Sequence, residues 1–144
     1  MSQLKQSLYI NTDGGARGNP GPAAIGVYIR DYQGREIAKF GKRIGKTTNN
    51  VAEYQAVIEA LKWLEENKER FNAVLKINFF IDSNLVVNQL RGLFKVKEPH
   101  LKKLFLKIKF LERKIDSAIY YQYVPRQKNR IADALVNRTL STSI

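Results

Sequence analysis

The amino-acid sequence predicts a mixed α/β domain in which three consecutive strands precede alternating helices and strands. The first third of the chain alternates apolar and polar residues and is interrupted by Gly- and Pro-rich turns, which is typical of an antiparallel meander. From about residue 50 onward, apolar residues recur at three- and four-residue steps between short apolar runs, which indicates helices and strands in alternation. The chain has 144 residues, 44% of them hydrophobic. We therefore expect one domain over residues 1–144, with its core at about 7–140.

Three strands are predicted in the meander. The first covers Ser7–Thr12 and should end at Asp13, because the turn-forming run GGARGNPGP follows. The next two cover Ala23–Asp31 and Arg35–Ile44, and the residues between them are few enough for a hairpin.

The remaining elements follow from the change of hydrophobic period. The run VLKINFFI is almost continuously apolar, so we expect a strand that is buried on both faces. In chain order, the sequence predicts a helix from Asn50 to about Asn67, a strand over Val74–Ile81, a short helix over Asn84–Leu90, a longer helix over His100–Ile115, a strand over Ala118–Val124 and a last helix over Arg130–Leu140.

Composition excludes several classes of protein. The chain has no Cys and one His, which rules out disulfide frameworks, Cys-ligated metals and thiol catalysis. The N-terminal residues MSQLKQSLYI do not resemble a signal peptide, and no apolar run approaches the length of about 20 residues that a membrane span needs. We expect a cytoplasmic protein that does not bind a membrane.

The charge balance points to a polyanionic partner. Lys and Arg number 25 against 13 Asp and Glu, which gives a formal net charge of +12. Such an excess is typical of a nucleic-acid-binding face, although a highly charged solvated surface would give the same composition.

Four of the few acidic residues occupy informative positions. Asp13 and Asp82 each follow a predicted strand, and Glu53 and Asp133 each lie one turn into a predicted helix. Carboxylates that meet in space repel one another unless a cation lies between them, and hard divalent cations prefer carboxylate oxygens. A pair of such ions can support phosphodiester cleavage.

Each of these acids also has an ordinary structural explanation. Asp13 could form a turn, Glu53 could complete a capping box with Asn50, Asp82 could cap the next helix, and Asp133 could interact with a helix dipole. Hydrophobic periodicity alone leaves both interpretations open.

Four segments together resemble the type 1 ribonucleases H. Their order and spacing agree with that family from Leu8 to about Leu140, and the loop PRQKN is similar to the archaeal and plant-like branch. The matching segments are TDGGARGNPGPAAIG (Thr12–Gly26), TTNNVAEYQAVIEAL (Thr47–Leu61), FIDSNLVV (Phe80–Val87) and NRIADALVNR (Asn129–Arg138).

The resemblance implies a fold, a metal site and an activity. The fold is a five-stranded mixed sheet in the order 3-2-1-4-5, with strands 1–3 antiparallel and helices on both faces. Asp13, Glu53, Asp82 and Asp133 become the quartet that holds two Mg²⁺ (or Mn²⁺) ions. The activity is hydrolysis of the RNA strand of RNA–DNA hybrids, leaving 5′-phosphate and 3′-hydroxyl ends.

The resemblance also implies contacts to the substrate. Asn19, Asn49, Asn50 and Asn84 take the positions of amides that lie along the RNA strand, although the last position is commonly Gln. Amides both donate and accept hydrogen bonds, which suits a 2′-hydroxyl. Thr48 takes the position of a residue of the DNA-phosphate pocket. Asn and Thr at these positions would also serve ordinary loop and capping roles.

The sequence departs from the family pattern in three places. The chain runs from Leu90 through RGLFKVKEPH into the next helix, so we expect the basic protrusion of well-known bacterial members to be absent. Lysines of this region could replace it or form an ordinary solvated face: Lys95, Lys97, Lys102, Lys103 and Lys107, with Lys102 and Lys103 as our choice for substrate contacts.

The other two departures concern the DNA-phosphate pocket and the loop before the last acid. Val51 occupies a position that is often Arg. The loop before the last acid often holds a His in the family, where it assists proton transfer or product release. The loop YVPRQKNRIAD has no His, and the single His100 lies elsewhere in the sequence. We expect Arg126 in this loop to hold a phosphate or help product to leave, unless it is simply a solvated loop residue.

Two other functions compete with ribonuclease H activity. One is another nuclease of the same superfamily fold, such as an integrase or resolvase. The other is a catalytically weak module that binds hybrids without cleaving them. We expect an RNA–DNA hybrid duplex as the partner, no obligate protein partner, and a monomer.

Overall fold

The computed structural model describes residues 7–71, 73–74 and 76–142, so the N-terminal residues 1–6 lie outside the described part. It contains a single five-stranded sheet in the order β3-β2-β1-β4-β5. Strands β1, β2 and β3 are antiparallel, whereas β4 and β5 run parallel to β1. This confirms the mixed α/β fold and the strand order. The elements are β1 (Ser7–Ala16), β2 (Gly21–Asp31), β3 (Glu36–Thr47), α1 (Asn49–Glu66), β4 (Lys76–Ile81), α2 (Asn84–Leu90), α3 (Pro99–Glu112), β5 (Ala118–Tyr123) and α4 (Arg130–Ser141).

Strand β1 is longer than predicted. It does not end at Asp13 but continues through both glycines to Ala16, because its antiparallel pairing with β2 persists to the Ala16–Ala23 pair. Asp13 itself pairs with Gly26. The prediction that the run GGARGNPGP forms a turn is therefore wrong for its first three residues, which belong to β1. The true connection to β2 begins after Ala16.

Helices cover both faces of the sheet. Helix α1 packs on one face with α3 beside it, and α4 packs on the opposite face of β1, β2 and β3. Helix α4 approaches closely enough that a Cβ on Gly26 would meet the backbone carbonyl of Ala132. The main apolar core lies under α1, where β1, β2 and β4 contribute Ile10, Ile25, Val27, Phe79 and Ile81.

Strand β4 differs from its prediction in where it begins and in how far it is buried. Lys76 begins the strand, Val74 precedes it, and Leu75 lies outside the described residues. Ile77, Phe79 and Ile81 are buried. Asn78 and Phe80 are only half-buried and Lys76 is exposed, so the strand is not buried on both faces. The reason is that α4 covers the other strands on that face, so the second side of β4 is only partly shielded.

The helix ends follow local capping chemistry. Thr48 caps α1 by accepting a hydrogen bond from the N–H of Val51, and Glu98 caps α3 by accepting from the N–H groups of His100 and Leu101. Helix α3 ends at Glu112, three residues before the predicted end. In the described residues, no helix is both long and apolar enough to cross a membrane.

Candidate metal and nucleic-acid site

Three carboxyl groups meet at one edge of the sheet. One carboxylate oxygen from each of Asp13, Glu53 and Asp82 lies within 4.8 Å of the others. The strand register explains two of them, because β1 and β4 are parallel with Asn11 opposite Phe80. Two residues further along the chain from this pair, Asp13 within β1 and Asp82 just after the end of β4 come side by side, at the carboxyl end of β4, where open α/β sheets place their sites.

Glu53 reaches the same point from helix α1. The backbone N–H of Gly14 donates a hydrogen bond to Glu53 Oε1 at 2.8 Å. This contact requires α1 to lie directly on β1, and a Cβ on Gly14 would meet the carbonyl carbon and oxygen of Ala52. Glycine at this position therefore allows the helix to bring its carboxylate to the strand.

Asp133 joins the group from the first turn of α4. It lines the same cleft as the three clustered carboxyls, together with Asn49, Asn50 and Arg126. Its carboxylate accepts a weak hydrogen bond from Asn137 Nδ2 at 3.4 Å. The structure thus brings all four of the acids singled out from the sequence to one cleft.

Burial and mutual repulsion make the ionised cluster costly. Burial, followed by the negative charges of Asp82 and Asp133, raises the pKa of Asp13 to about 8. Burial, followed by the charges of Asp13 and Asp82, raises the pKa of Glu53 well above its ordinary value. Among the described residues, none of the four acids forms an ion pair with Lys or Arg. The cluster therefore lacks compensating positive charge from these side chains.

The ordinary structural roles considered for three of the acids do not apply. Asp13 lies within β1 and forms no turn. Thr48 is the N-cap of α1, so Glu53 is not the capping-box partner of Asn50. Ser83, rather than Asp82, caps α2 by accepting a hydrogen bond from Val86 N–H. Only Asp133 keeps its expected position in the first turn of a helix.

A buried amide, Asn129, connects the acids to the sheet. Its Nδ2 donates to Asp82 Oδ2 at 3.1 Å and to the carbonyl of Thr12 at 2.9 Å. Its Oδ1 accepts from Asn11 Nδ2 at 2.9 Å. Asn129 is 1% exposed and Asn11 is 5% exposed. The sequence motifs predict no role for either residue, although a polar Asn11 inside the apolar strand pattern was an available signal.

The predicted amides beside the cluster support the loop as well as the cleft. Asn19 Oδ1 accepts from the N–H of Asn49 at 2.9 Å, and Asn49 Oδ1 accepts from the N–H of Ala16 at 2.9 Å. These bonds join the β1–β2 connection to the start of α1. Asn50 is exposed and lines the cleft. Thr48 uses its hydroxyl oxygen to cap α1.

Other predicted residues lie outside the set that lines this cleft. Asn84 lines a separate groove between α2 and β5. Lys102 and Lys103 are exposed on α3, whose buried side chains include Leu101 and Leu104. No helix separates α2 from α3, so the residues at 91–98 connect them directly and the protrusion is absent, as expected.

The structure locates the residues at which the sequence departs from the family pattern. Val51 is buried at the start of α1 and is 8% exposed. His100 is exposed at the start of α3 and is not among the residues that line the cleft. Arg126, in contrast, is among the residues that line the same cleft as Asp13 and Asp82.

Comparisons with known proteins agree with this architecture. A family model described as reverse transcriptase-like matches residues 11–139. The chain is 40% identical over 138 residues to the bifunctional protein Rv2228c of Mycobacterium tuberculosis, covering 94% of this chain and 36% of that protein. It is 38% identical over 128 residues to ribonuclease HI of Halobacterium salinarum, covering 89% of this chain and 61% of that protein. The chain thus spans less than two thirds of either curated relative.

A solved structure extends the likeness to the whole fold. The crystal structure of LC11-RNase H1 in complex with an RNA/DNA hybrid superposes with a TM-score of 0.86 at 44% identity. The match covers 91% of this chain and 94% of that one. The strand order, the acidic cleft and these similarities lead to one assignment. The chain belongs to the type 1 ribonuclease H family.

Proposed function

We propose that this chain hydrolyses the RNA strand of RNA–DNA hybrids and leaves 5′-phosphate and 3′-hydroxyl ends. The observation that carries the proposal is the convergence of Asp13, Glu53 and Asp82, with Asp133 in the same cleft. A related structure holding an RNA/DNA hybrid supports the choice of substrate. The net charge of +12 suits a polyanionic duplex.

The acidic cluster has the chemistry of a divalent-metal site. Its oxygens are hard ligands, and three of them lie within 4.8 Å of one another. Burial, followed by the charges of neighbouring acids, raises the pKa of both Asp13 and Glu53, so their ionised forms are unfavourable without a cation. We propose that the four carboxylates hold two Mg²⁺ ions, with Mn²⁺ as a substitute. When bound, such ions supply the positive charge that activates a water and stabilises the leaving oxygen of a phosphodiester.

The remaining cleft residues position the substrate. Asn50 is exposed beside Glu53, and we propose that its amide contacts the RNA strand where a 2′-hydroxyl distinguishes it from DNA. Asn19 and Asn49 hold the neighbouring loop through backbone hydrogen bonds. Arg126 places a permanent positive charge in the cleft, where it can hold a phosphate and oppose the negative charge of product.

The competing functions fit the site less well. A module that only binds hybrids gains nothing from buried, mutually repelling carboxylates facing a polyanion, since they weaken its affinity. Another nuclease of the superfamily fold would share the cluster, but the matches to ribonucleases H extend over about nine tenths of the chain.

A cleavage assay tests the proposal directly. Duplexes of one sequence, prepared as RNA–DNA, RNA–RNA and DNA–DNA, are incubated with the protein in Mg²⁺ or in EDTA. We expect Mg²⁺-dependent cleavage of the RNA strand in the hybrid and none in EDTA. The variant Asp13→Asn serves as the matched control for a contaminating nuclease. Cleavage of DNA–DNA in preference to the hybrid, or no cleavage of any duplex, would contradict the proposal.

A further inference from the structure

A second cavity lies on the other side of the segment that carries Arg126. It has a volume of about 420 Å³, large enough for a phosphate group and its surroundings. Three cationic side chains line it, with a phenol and two amides and no carboxylate: Arg30, Lys128 and Arg130, together with Tyr28, Gln127 and Asn11. A concave site whose charged lining is entirely positive favours an anion.

Arg30 is held in place before any ligand binds. Its guanidinium lies 5.5 Å from the ring centroid of Tyr9, 5.8 Å from that of Tyr28 and 5.6 Å from that of Phe80. Its Nη2 donates to Asn11 Oδ1 at 2.8 Å. Among the described residues it forms no ion pair. A guanidinium has five N–H donors in a rigid, planar arrangement. Arg30 is half-buried and uses one of these donors in its hydrogen bond to Asn11, so other donors are left for a phosphate.

The cavity is adjacent to the acidic cleft. Arg126 lines the cleft, whereas Lys128 lines the cavity, and these two residues belong to one short 3-10 turn. The three residues 126–128 span at most about 10 Å. A single nucleic-acid strand has several phosphates over that distance, so one strand can reach both sites. A continuous hydrogen-bond path also joins the two sites, from Arg30 through Asn11 and Asn129 to Asp82.

We propose that this cavity binds a backbone phosphate of the same nucleic acid that occupies the acidic cleft. This inference rests on the proposed function insofar as the ligand in the cleft is a nucleic acid. Lys128 and Arg130 are exposed and would attract the phosphate through their positive charges. Arg30 is half-buried and would donate hydrogen bonds to it from a fixed position. Binding there anchors the strand beyond the cleft and keeps it in register with the carboxylates.

Hybrid binding in EDTA tests the site without requiring cleavage. The dissociation constant is measured for the wild type and for Lys128→Ala/Arg130→Ala as salt rises from about 50 to 200 mM. Arg113→Ala/Lys114→Ala is the matched control, because it removes the same charge from exposed residues around the end of α3, in the helix layer on the other face of the sheet. We expect the log–log salt slope of the cavity variant to become shallower by about one unit per phosphate contact, and that of the control to match the wild type.

Inorganic phosphate is the second probe. Its addition should shift the backbone amide NMR signals of residues 127–130 in the wild type and leave them unmoved in Lys128→Ala/Arg130→Ala. Equal slopes in all three proteins, or an equal decrease in both double variants, would overturn the inference. Phosphate shifts without any effect on the hybrid slope would also overturn it, since the site would then serve a free anion. Because no step here depends on turnover, an inactive protein would refute the proposed function and leave this result interpretable.

Discussion

Asn129 donates a 3.1 Å hydrogen bond to Asp82 from a position only 1% exposed. The same amide nitrogen also donates to the carbonyl of Thr12, the residue before Asp13. One buried side chain therefore fixes the residue after β4 relative to the middle of the adjacent parallel strand β1. The distance between the carboxylates of Asp13 and Asp82 depends on this bridge as well as on the sheet.

The first prediction concerns this bridge. Asn129→Ala removes three hydrogen bonds and leaves buried partners unsatisfied, so the free energy of unfolding should fall by about 1–3 kcal/mol. As a positioning residue, Asn129 should also affect kcat more than KM, because the acids would be misplaced while the exposed binding residues stay intact. Thermal unfolding and steady-state cleavage measure the two effects. A variant with wild-type kcat, whatever its melting temperature, would show that the bridge is only structural.

The second prediction concerns the repulsion within the cluster. Asp13→Asn should abolish cleavage while preserving or raising the melting temperature of the metal-free protein. The pKa of Asp13 is raised from its ordinary value of 3.8 to about 8, so the folded state binds this proton more tightly than the unfolded state. The contribution of this carboxyl to the stability of the wild type therefore falls as pH rises from about 4 to about 8, and Asn lacks this contribution.

Melting curves in EDTA at about pH 5 and about pH 9 test this sign. The advantage of Asp13→Asn should be larger at the higher pH, and a gain of about 1 kcal/mol corresponds to roughly 2–4 °C at this chain length. Added Mg²⁺ should then stabilise the wild type more than the variant. If the difference between the two proteins is the same at both pH values, ionisation of the Asp13 carboxyl, opposed by burial and by the charges of Asp82 and Asp133, does not destabilise the fold.

Much of the fold was predictable from the chain, and the exceptions have physical causes. The hydrophobic pattern and the turn signals located each of the five strands and four helices named above. The end of β1 was missed because Gly14 and Gly15 have strong turn preferences, which pairing with β2 overrides. The second face of β4 was misjudged because a run of apolar residues does not reveal where α4 ends over the sheet.

The residues of the candidate site were also only partly predictable from the sequence. The four acids were identified from local motifs in a fixed order. Asn11 and Asn129 were not, because the hydrogen bond between them joins residues 118 positions apart. Only the folded sheet brings them together. The contact of Asn84 with substrate, expected from its position in a motif, stays a prediction, and the residue lines a groove beside α2 and β5.

The third prediction concerns the close contact of α1 with β1. Gly14→Ala places a methyl group against the backbone of Ala52, which cannot yield as a flexible side chain would. We expect a loss of about 1–3 kcal/mol in stability and a loss of activity, because Glu53 moves away with the helix. Gly15→Ala is the control, since its Cβ would lie at an ordinary 3.6 Å from Val136 Cγ1. Similar stability for the two variants would contradict the proposed role of this contact.

The fourth prediction concerns the lysines of α3. Lys102 and Lys103 are exposed and lie outside the acidic cleft, so they can contact a duplex only beyond the cluster. If each neutralises a phosphate, Lys102→Ala/Lys103→Ala should make the log–log salt slope of hybrid binding shallower by about two units. Arg113→Ala/Lys114→Ala again controls for net charge. An unchanged slope would show that this part of α3 is a solvated face without substrate contacts.

The last prediction concerns proton transfer in a loop without His. A His that exchanges protons during cleavage would give the rate a transition near pH 6.5, its ordinary pKa. His100 is exposed at the start of α3 and does not line the cleft, so His100→Ala should cleave the hybrid nearly as fast as the wild type.

Arg126 does line the cleft, but a guanidinium keeps its proton at ordinary pH and acts only through its charge. Arg126→Ala should therefore lower turnover without abolishing it, and Arg126→Lys should restore part of the loss. Rates measured across pH separate the two roles, because loss of a charge changes the height of the profile and loss of a proton carrier changes its shape. A His100→Ala variant as inactive as Asp13→Asn would mean that His100 reaches the substrate, contrary to its position in the structure.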